Sequence, residues 1–125
     1  MRKITILIVD DHKLIRESWA FILNTDFRFE VIGEKSSGEE AIAFVQSVIP
    51  DIILMDVNMK PMSGFEAAKH IRRISPSSKI IGVSIHNMPA YAKKMLKLGA
   101  MGYITKNSSK DRDSSGSCLM VVFGA

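Results

Sequence analysis

A chain of 125 residues with a single cysteine, Cys118, is sized for one domain and cannot close an internal disulfide. No apolar run approaches the roughly 18 residues of a membrane span, and Met1-Arg2-Lys3-Ile4 leads straight into a strand without a signal-peptide layout, so a cytoplasmic protein with no membrane partner is expected. The formal charge of +4 comes from 17 basic and 13 acidic residues, and the small basic groups (Lys69, His70, Arg72, Arg73; Lys93, Lys94, Lys97) have helical spacing without interleaved aromatics, which argues for solvated helix faces and against direct nucleic-acid binding.

Residues 3–9 (KITILIV) form an apolar run of strand length that ends in acid, Asp10-Asp11. Over residues 12–24, Ile15, Trp19 and Ile22 recur at i, i+4 and i+7, the stripe of an amphipathic helix that Asn24 and Asp26 stop. Residues 29–33 make a short second strand. Ser36-Ser37-Gly38-Glu39-Glu40 opens a second helix, with Ser37 placed three residues before Glu40 as in a capping box, a core face of Ala41, Val45 and Val48, and Pro50 as its end. Residues 52–55 (IILM) are then four consecutive apolar residues between Pro50-Asp51 and Lys60-Pro61-Met62-Ser63-Gly64. They predict a strand buried on both faces, as in the middle of a parallel sheet, and that strand delivers Asp56 at its end.

A third helix follows with Ala67, Ile71 and Ile74 on one face, closed by Ser75-Pro76-Ser77-Ser78. Residues 79–83 form a fourth strand ending in Ser84. The fourth helix, about residues 89–98, carries Tyr91, Met95 and Leu98 and stops at Gly99. Residues 101–105 form a fifth strand ending in Lys106. Strand and helix thus alternate five times, which predicts an α/β fold with a doubly wound parallel sheet.

In such a sheet ligands bind outside the carboxyl ends of the strands. Asp56 read alone is also an ordinary turn residue. Asp10, Asp11 and Asp56 share one crevice if their strands are neighbours, and three like charges that close raise one another's pKa unless a hard divalent ion, Mg²⁺ by preference, offsets them. A carboxylate nucleophile, an acid pair for a metal, the Ser84 hydroxyl and the Lys106 ammonium at successive strand ends are the groups that phosphoryl transfer to an aspartate requires. Of the histidines, His12 follows the acid pair and lines the pocket, His70 belongs to a solvated helix face, and His86 lies in the loop after strand four. They are too scattered for a zinc set.

The ordered set Val9-Asp10-Asp11-His12, Leu54-Met55-Asp56-Val57-Asn58-Met59 with Pro61-Met62-Ser63-Gly64, Val83-Ser84, and Gly99-Ala100-Met101-Gly102-Tyr103-Ile104-Thr105-Lys106 resembles the receiver domains of two-component response regulators. The stretch from Ser84 to Lys106 is most similar to receivers that precede a helix-turn-helix DNA-binding domain. The resemblance, with right-handed crossovers, implies a CheY-like five-stranded sheet in the order 2-1-3-4-5. It further implies that Asp56 accepts phosphate from a sensor histidine kinase or phosphotransfer protein. Asp10, Asp11 and Asp56 with the backbone carbonyl of Asn58 would hold Mg²⁺, and Ser84, Tyr103 and Lys106 would respond to the phosphate. Such a protein is a signalling phosphoacceptor and not an enzyme acting on other substrates.

A flavodoxin-like electron carrier would share the fold, but Asp10-Asp11 would repel its phosphate, and an aspartate-based phosphatase would carry a D-x-D pattern after strand one that is absent here. The remaining alternative is a phosphorylation-independent receiver acting as a protein-interaction module. Two positions depart from the family pattern: Ile85, where a small residue is usual, and Asn107, where proline is common. The expected organisation is a receiver over residues 1–106 and an atypical tail over 107–125 in place of the fifth helix. Ser114-Ser115-Gly116-Ser117 breaks any helix there, residues 118–123 are a strand-like apolar run, and Leu119 to Phe123 are expected to pack over the uncovered surface or to join two chains in a homodimer.

Overall fold

The computed structural model describes residues 2–84, 89–107 and 118–123, with the side chains of 89, 105–107 and 118–123 excepted. Ile85, His86, the Ser114-Ser115-Gly116-Ser117 segment and the side chains of Lys106 and Asn107 therefore lie outside the described residues. The elements in order are β1 (Ile4–Val9), α1 (Lys13–Asn24), β2 (Phe29–Lys35), α2 (Gly38–Val45), β3 (Ile52–Asp56), α3 (Gly64–Ile74), β4 (Lys79–Ser84), α4 (Pro89–Lys97), β5 (Gly102–Asn107) and β6 (Cys118–Phe123).

The first five strands pair in parallel in the order 2-1-3-4-5, as expected. β3 is central and buried on both sides. Ile53 and Met55 point into the larger core under α2, α3 and α4, and Leu54 points into the smaller core under α1. Alternation of side chains across the strand makes one apolar run serve two cores.

The sheet has one strand more than expected. β6 pairs antiparallel with β5 along its whole length, Gly102 opposite Phe123 and Asn107 opposite Cys118. The tail was expected, on one of two alternatives, to lie over the sheet face; its backbone extends the sheet at its edge and does not cover that face. An edge strand presents a row of unpaired N–H and C=O groups, and an apolar run without proline can complete that ladder. Four helices are present among the described residues.

The first three helix stripes hold at their start and fail at their last member, whereas Leu98 at the end of the fourth stays partly buried. Ile22 is 58% exposed, Val48 38% and Ile74 37%. On α1 the buried side continues from Ile15 and Trp19 through Ala20 and Leu23, so the sheet-facing row runs in steps of four and leaves Ile22 outside. Val48 lies beyond the end of α2, and Ile74 is the last residue of α3. Ser37 caps α2 by accepting the Glu40 amide, but the Glu40 carboxylate accepts the amide of Ser36, so only half of the expected box forms. The complete capping box is at Ser63 and Glu66 on α3. Gly99 has φ +98°, the left-handed geometry that its helix stop requires.

Gly64 starts α3 where the helix passes close to the end of β3. Its amide donates to the Val57 carbonyl at 3.3 Å, and a Cβ there would meet the Asp56 carbonyl oxygen and lie 2.6 Å from Val57 Cα. The backbone of the β3 end cannot give way without moving Asp56. Gly64→Ala is accordingly expected to lower stability by about 1–3 kcal/mol, the usual cost of overpacking; urea denaturation of the two chains checks this, and equal midpoints would contradict it.

Candidate functional site

Asp10 directly follows β1 and Asp56 closes β3. Because Val9 pairs with Met55 across these neighbouring parallel strands, both carboxylates emerge at the same end of the sheet. Both are buried, at 5% and 7% exposure. Asp11 and His12 continue from Asp10 on the open side of the same crevice. Ligand atoms of Asp10, Asp11, His12 and Asp56 all lie within 4.8 Å of one another.

Backbone and side-chain hydrogen bonds hold this arrangement. The Asp10 amide donates to the Lys35 carbonyl at 3.0 Å, and Arg16 of α1 donates to the Asp10 carbonyl at 2.7 Å. Arg16 Nε is 3.6 Å from the Glu34 carboxylate, which ties the first turn of α1 to β2. Asp10 Oδ1 accepts the His12 amide at 2.8 Å, and Asp56 Oδ1 accepts the Asn58 amide at 3.0 Å. The Ser84 hydroxyl donates to Asn58 Oδ1 at 2.9 Å, so β4 is linked to Asp56 through Asn58. A cavity of about 90 Å³ opens between these groups, walled on its apolar side by Ile15, Trp19 and Val83.

The residues predicted for the site thus come together in five cases: Asp10, Asp11, Asp56, Asn58 and Ser84. Tyr103 lies fully buried on β5, its ring against the position where Gly82 would carry a Cβ. Lys106 follows Thr105, the residue paired with Ser84, so its backbone stands at the same end of the sheet. His70 is on the exposed face of α3. Arg16 carries no sequence signal, since a basic residue six positions after an acid is unremarkable. Ile15 and Trp19, expected in the core, also form the pocket wall. The neighbours of His12 were legible only as proximity to the acid pair.

Burial raises the Asp56 pKa to about 6, and the charges of Asp10 and Asp11 add to the rise, against the opposing Asn58 amide and His12. The His12 pKa is raised, first by its hydrogen bond to Asp10 and then by the charges of Asp11, Asp10 and Asp56, with desolvation opposing. Burial raises the Tyr103 phenol, and the neighbouring Ser84 hydroxyl opposes it; the phenol makes no hydrogen bond of good geometry among the described residues. Three converging carboxylates, two of them buried, are an all-oxygen donor set short of positive charge. A hard divalent cation fits that set.

The sign of the Asp56 shift has a consequence for stability. A carboxyl whose folded pKa lies above its unfolded value of 3.8 binds its proton more tightly in the fold. Its ionisation therefore costs stability above pH ~6, and the cost disappears as pH falls from about 6 to below 4. Without added metal, Asp56→Asn is expected to be more stable than the parent by on the order of 1–3 kcal/mol at pH 7.5, with the gap closing by pH 4. Urea melts at the two pH values measure this, and a gap independent of pH would contradict it.

Comparison with known proteins agrees with this geometry. A family model for the response regulator receiver domain matches residues 6–113. The transcriptional regulatory protein DegU of Brevibacillus brevis is 40% identical over 109 residues, covering 87% of this chain and 46% of that protein. This chain spans about half the length of the curated relatives it matches. Among solved structures, a LuxR-family two-component response regulator from Aurantimonas sp. SI85-9A1 superposes with a TM-score of 0.81 at 31% identity, covering 86% of this chain and 77% of that one. The response regulator domain of Thermotoga maritima CheB gives a TM-score of 0.78 at 32% identity, covering 84% and 79%. With most of its length matched and its acid cluster at the expected strand ends, this chain belongs to the family of response regulator receiver domains.

Proposed function

We propose that Asp56 is the phosphoacceptor of a two-component signalling pathway, taking its phosphoryl group from a histidine kinase or a phosphotransfer protein. The observation that supports this most directly is the convergence of the Asp10, Asp11 and Asp56 carboxylates at the carboxyl ends of β1 and β3. Asp56 attacks the phosphorus of a phosphohistidine or a small acyl phosphate. A P–O bond to the carboxylate forms, the bond to the donor breaks, and the donor leaves with the electron pair. With a pKa of about 6, Asp56 is already mostly anionic at neutral pH and needs no general base.

Asp10, Asp11 and Asp56, with the backbone carbonyl of Asn58, are the residues that would hold Mg²⁺. That ion, when bound, neutralises the developing charge on the phosphoryl oxygens. Lys106, near the end of β5, is assigned the role of stabilising charge on the phosphoryl group. The Ser84 hydroxyl leaves Asn58 Oδ1 to donate to a phosphoryl oxygen, and the buried Tyr103 follows towards the space Ser84 vacates. The surface changed by this exchange is α4 and β5. Coupling of this kind is typically worth about 1–3 kcal/mol, a 5- to 150-fold change in a partner's affinity.

We assign residues 1–106 to the receiver unit and 107–125 to an appended tail, in a cytoplasmic protein that can form a homodimer. Relatives named as transcriptional regulators, of which this chain spans half, support a DNA-binding output that lies outside the receiver. The expected result of incubation with acetyl phosphate and Mg²⁺ is the added mass of one phosphoryl group, lost in Asp56→Asn and when EDTA replaces the metal. A stoichiometric phosphoaspartate in Asp56→Asn, read by intact mass, would overturn the assignment.

A further inference from the structure

The side chain of His12 takes no part in the phosphoryl transfer proposed for Asp56. It stands at the N-cap of α1, where serine, threonine, aspartate or asparagine would normally receive an amide, but it makes no side-chain capping bond. Its ring is turned to the acid pair instead. Nδ1 is 3.1 Å from Asp10 Oδ1 and 3.0 Å from Asp11 Oδ1, so one ring nitrogen faces both carboxylates of the cation site at once. The side chain is 63% exposed, so no core packing dictates this orientation.

These distances have a second meaning. A divalent ion with metal–nitrogen and metal–oxygen bonds of about 2.1 Å, held by neighbouring ligands at right angles, places those ligand atoms about 3 Å apart. The two Nδ1–oxygen separations, which a hydrogen bond also accounts for, equal the edges of such a coordination polyhedron, in which the Nδ1 lone pair would take the place of the hydrogen-bonded proton. Nε2 then carries the ring proton on the solvent side. Magnesium keeps oxygen and water ligands, whereas manganese, cobalt and zinc accept imidazole readily.

We propose that His12 Nδ1 is a further ligand of the cation site and biases it towards divalent ions that accept imidazole, such as Mn²⁺, Co²⁺ or Zn²⁺. This rests on the cation site proposed above and adds a nitrogen ligand to it. Its consequence is selectivity: at equal concentrations such an ion would be held in preference to Mg²⁺.

The test compares the full chain with His12→Ala by calorimetric titration of Co²⁺ and of Mg²⁺ into metal-free protein. The exposed, non-capping side chain makes the variant foldable, and His70 and His86 are retained in both chains, so a difference belongs to His12. The Co²⁺-to-Mg²⁺ affinity ratio is expected to fall at least tenfold in His12→Ala. In the Zn²⁺-loaded parent chain, ¹⁵N NMR is expected to show one metal-bound Nδ1 that is missing from the variant. An unchanged ratio, or a His12 Nδ1 that keeps its proton in the Zn²⁺-loaded chain, would overturn the proposal and leave the carboxylate site intact. Absence of any Mg²⁺ binding to the parent would count against the metal role of the carboxylates, and the Nδ1 signal would then decide the question for His12 by itself.

Discussion

The structure depends on one electrostatic constraint: parallel neighbours β1 and β3 must release their acids at the same end of the sheet. Pairing of Val9 with Met55 leaves no other place for Asp10 and Asp56, and burial of both carboxylates makes their mutual repulsion expensive. The hydrophobic pattern that makes β3 central is therefore the cause of the strained charge at its tip. Leu54 and Met55 fill the two cores, and the next residue inherits a desolvated position with two other acids beside it. A site of this kind stores unfavourable energy that only a cation, a proton or a neutralising modification relieves.

The same strand ends are tied together by hydrogen bonds that start at Asp56. Asp56 accepts the Asn58 amide, and Asn58 accepts the Ser84 hydroxyl. Val57 donates to the Val83 carbonyl, so the loop after β3 is tied to β4 by backbone as well as side chain. From Ser84 the path continues across the sheet to β5, whose Tyr103 is fully buried and whose Thr105 pairs with Ser84. Ser84 thus stands one strand pairing away from the strand that carries this core residue and that follows α4 in sequence. Packed interiors have discrete alternatives and not a continuum of small adjustments, which suits a two-position switch.

The strand runs were legible because a strand buried on both faces must be apolar without interruption, and the acids that end those runs were legible for the same reason. The order of the strands needed the family likeness, since apolar runs carry no information about which run neighbours which. The first three helix stripes were legible in the middle and not at their ends, as Ile22, Val48 and Ile74 show: burial depends on where the partner surface stops, which periodicity does not report. The tail was readable as strand-forming, yet its partner was not, because the open edge of β5 exists only once the sheet is assembled. Arg16 and the ring of His12 were hidden for a related reason. Their meaning lies in distances of 2.7–3.1 Å to Asp10 that follow from how α1 leaves β1.

Asp56 is expected to carry a frustrated charge that the proposed cation relieves. Titrating the Asp56 carboxyl carbon by ¹³C NMR, with and without Mg²⁺, tests it most directly. A pKa near 6 is expected in the metal-free chain, with a fall of at least one unit when Mg²⁺ is bound. A metal-free value near the ordinary 3.8, or a value of 6 that Mg²⁺ leaves in place, would contradict it.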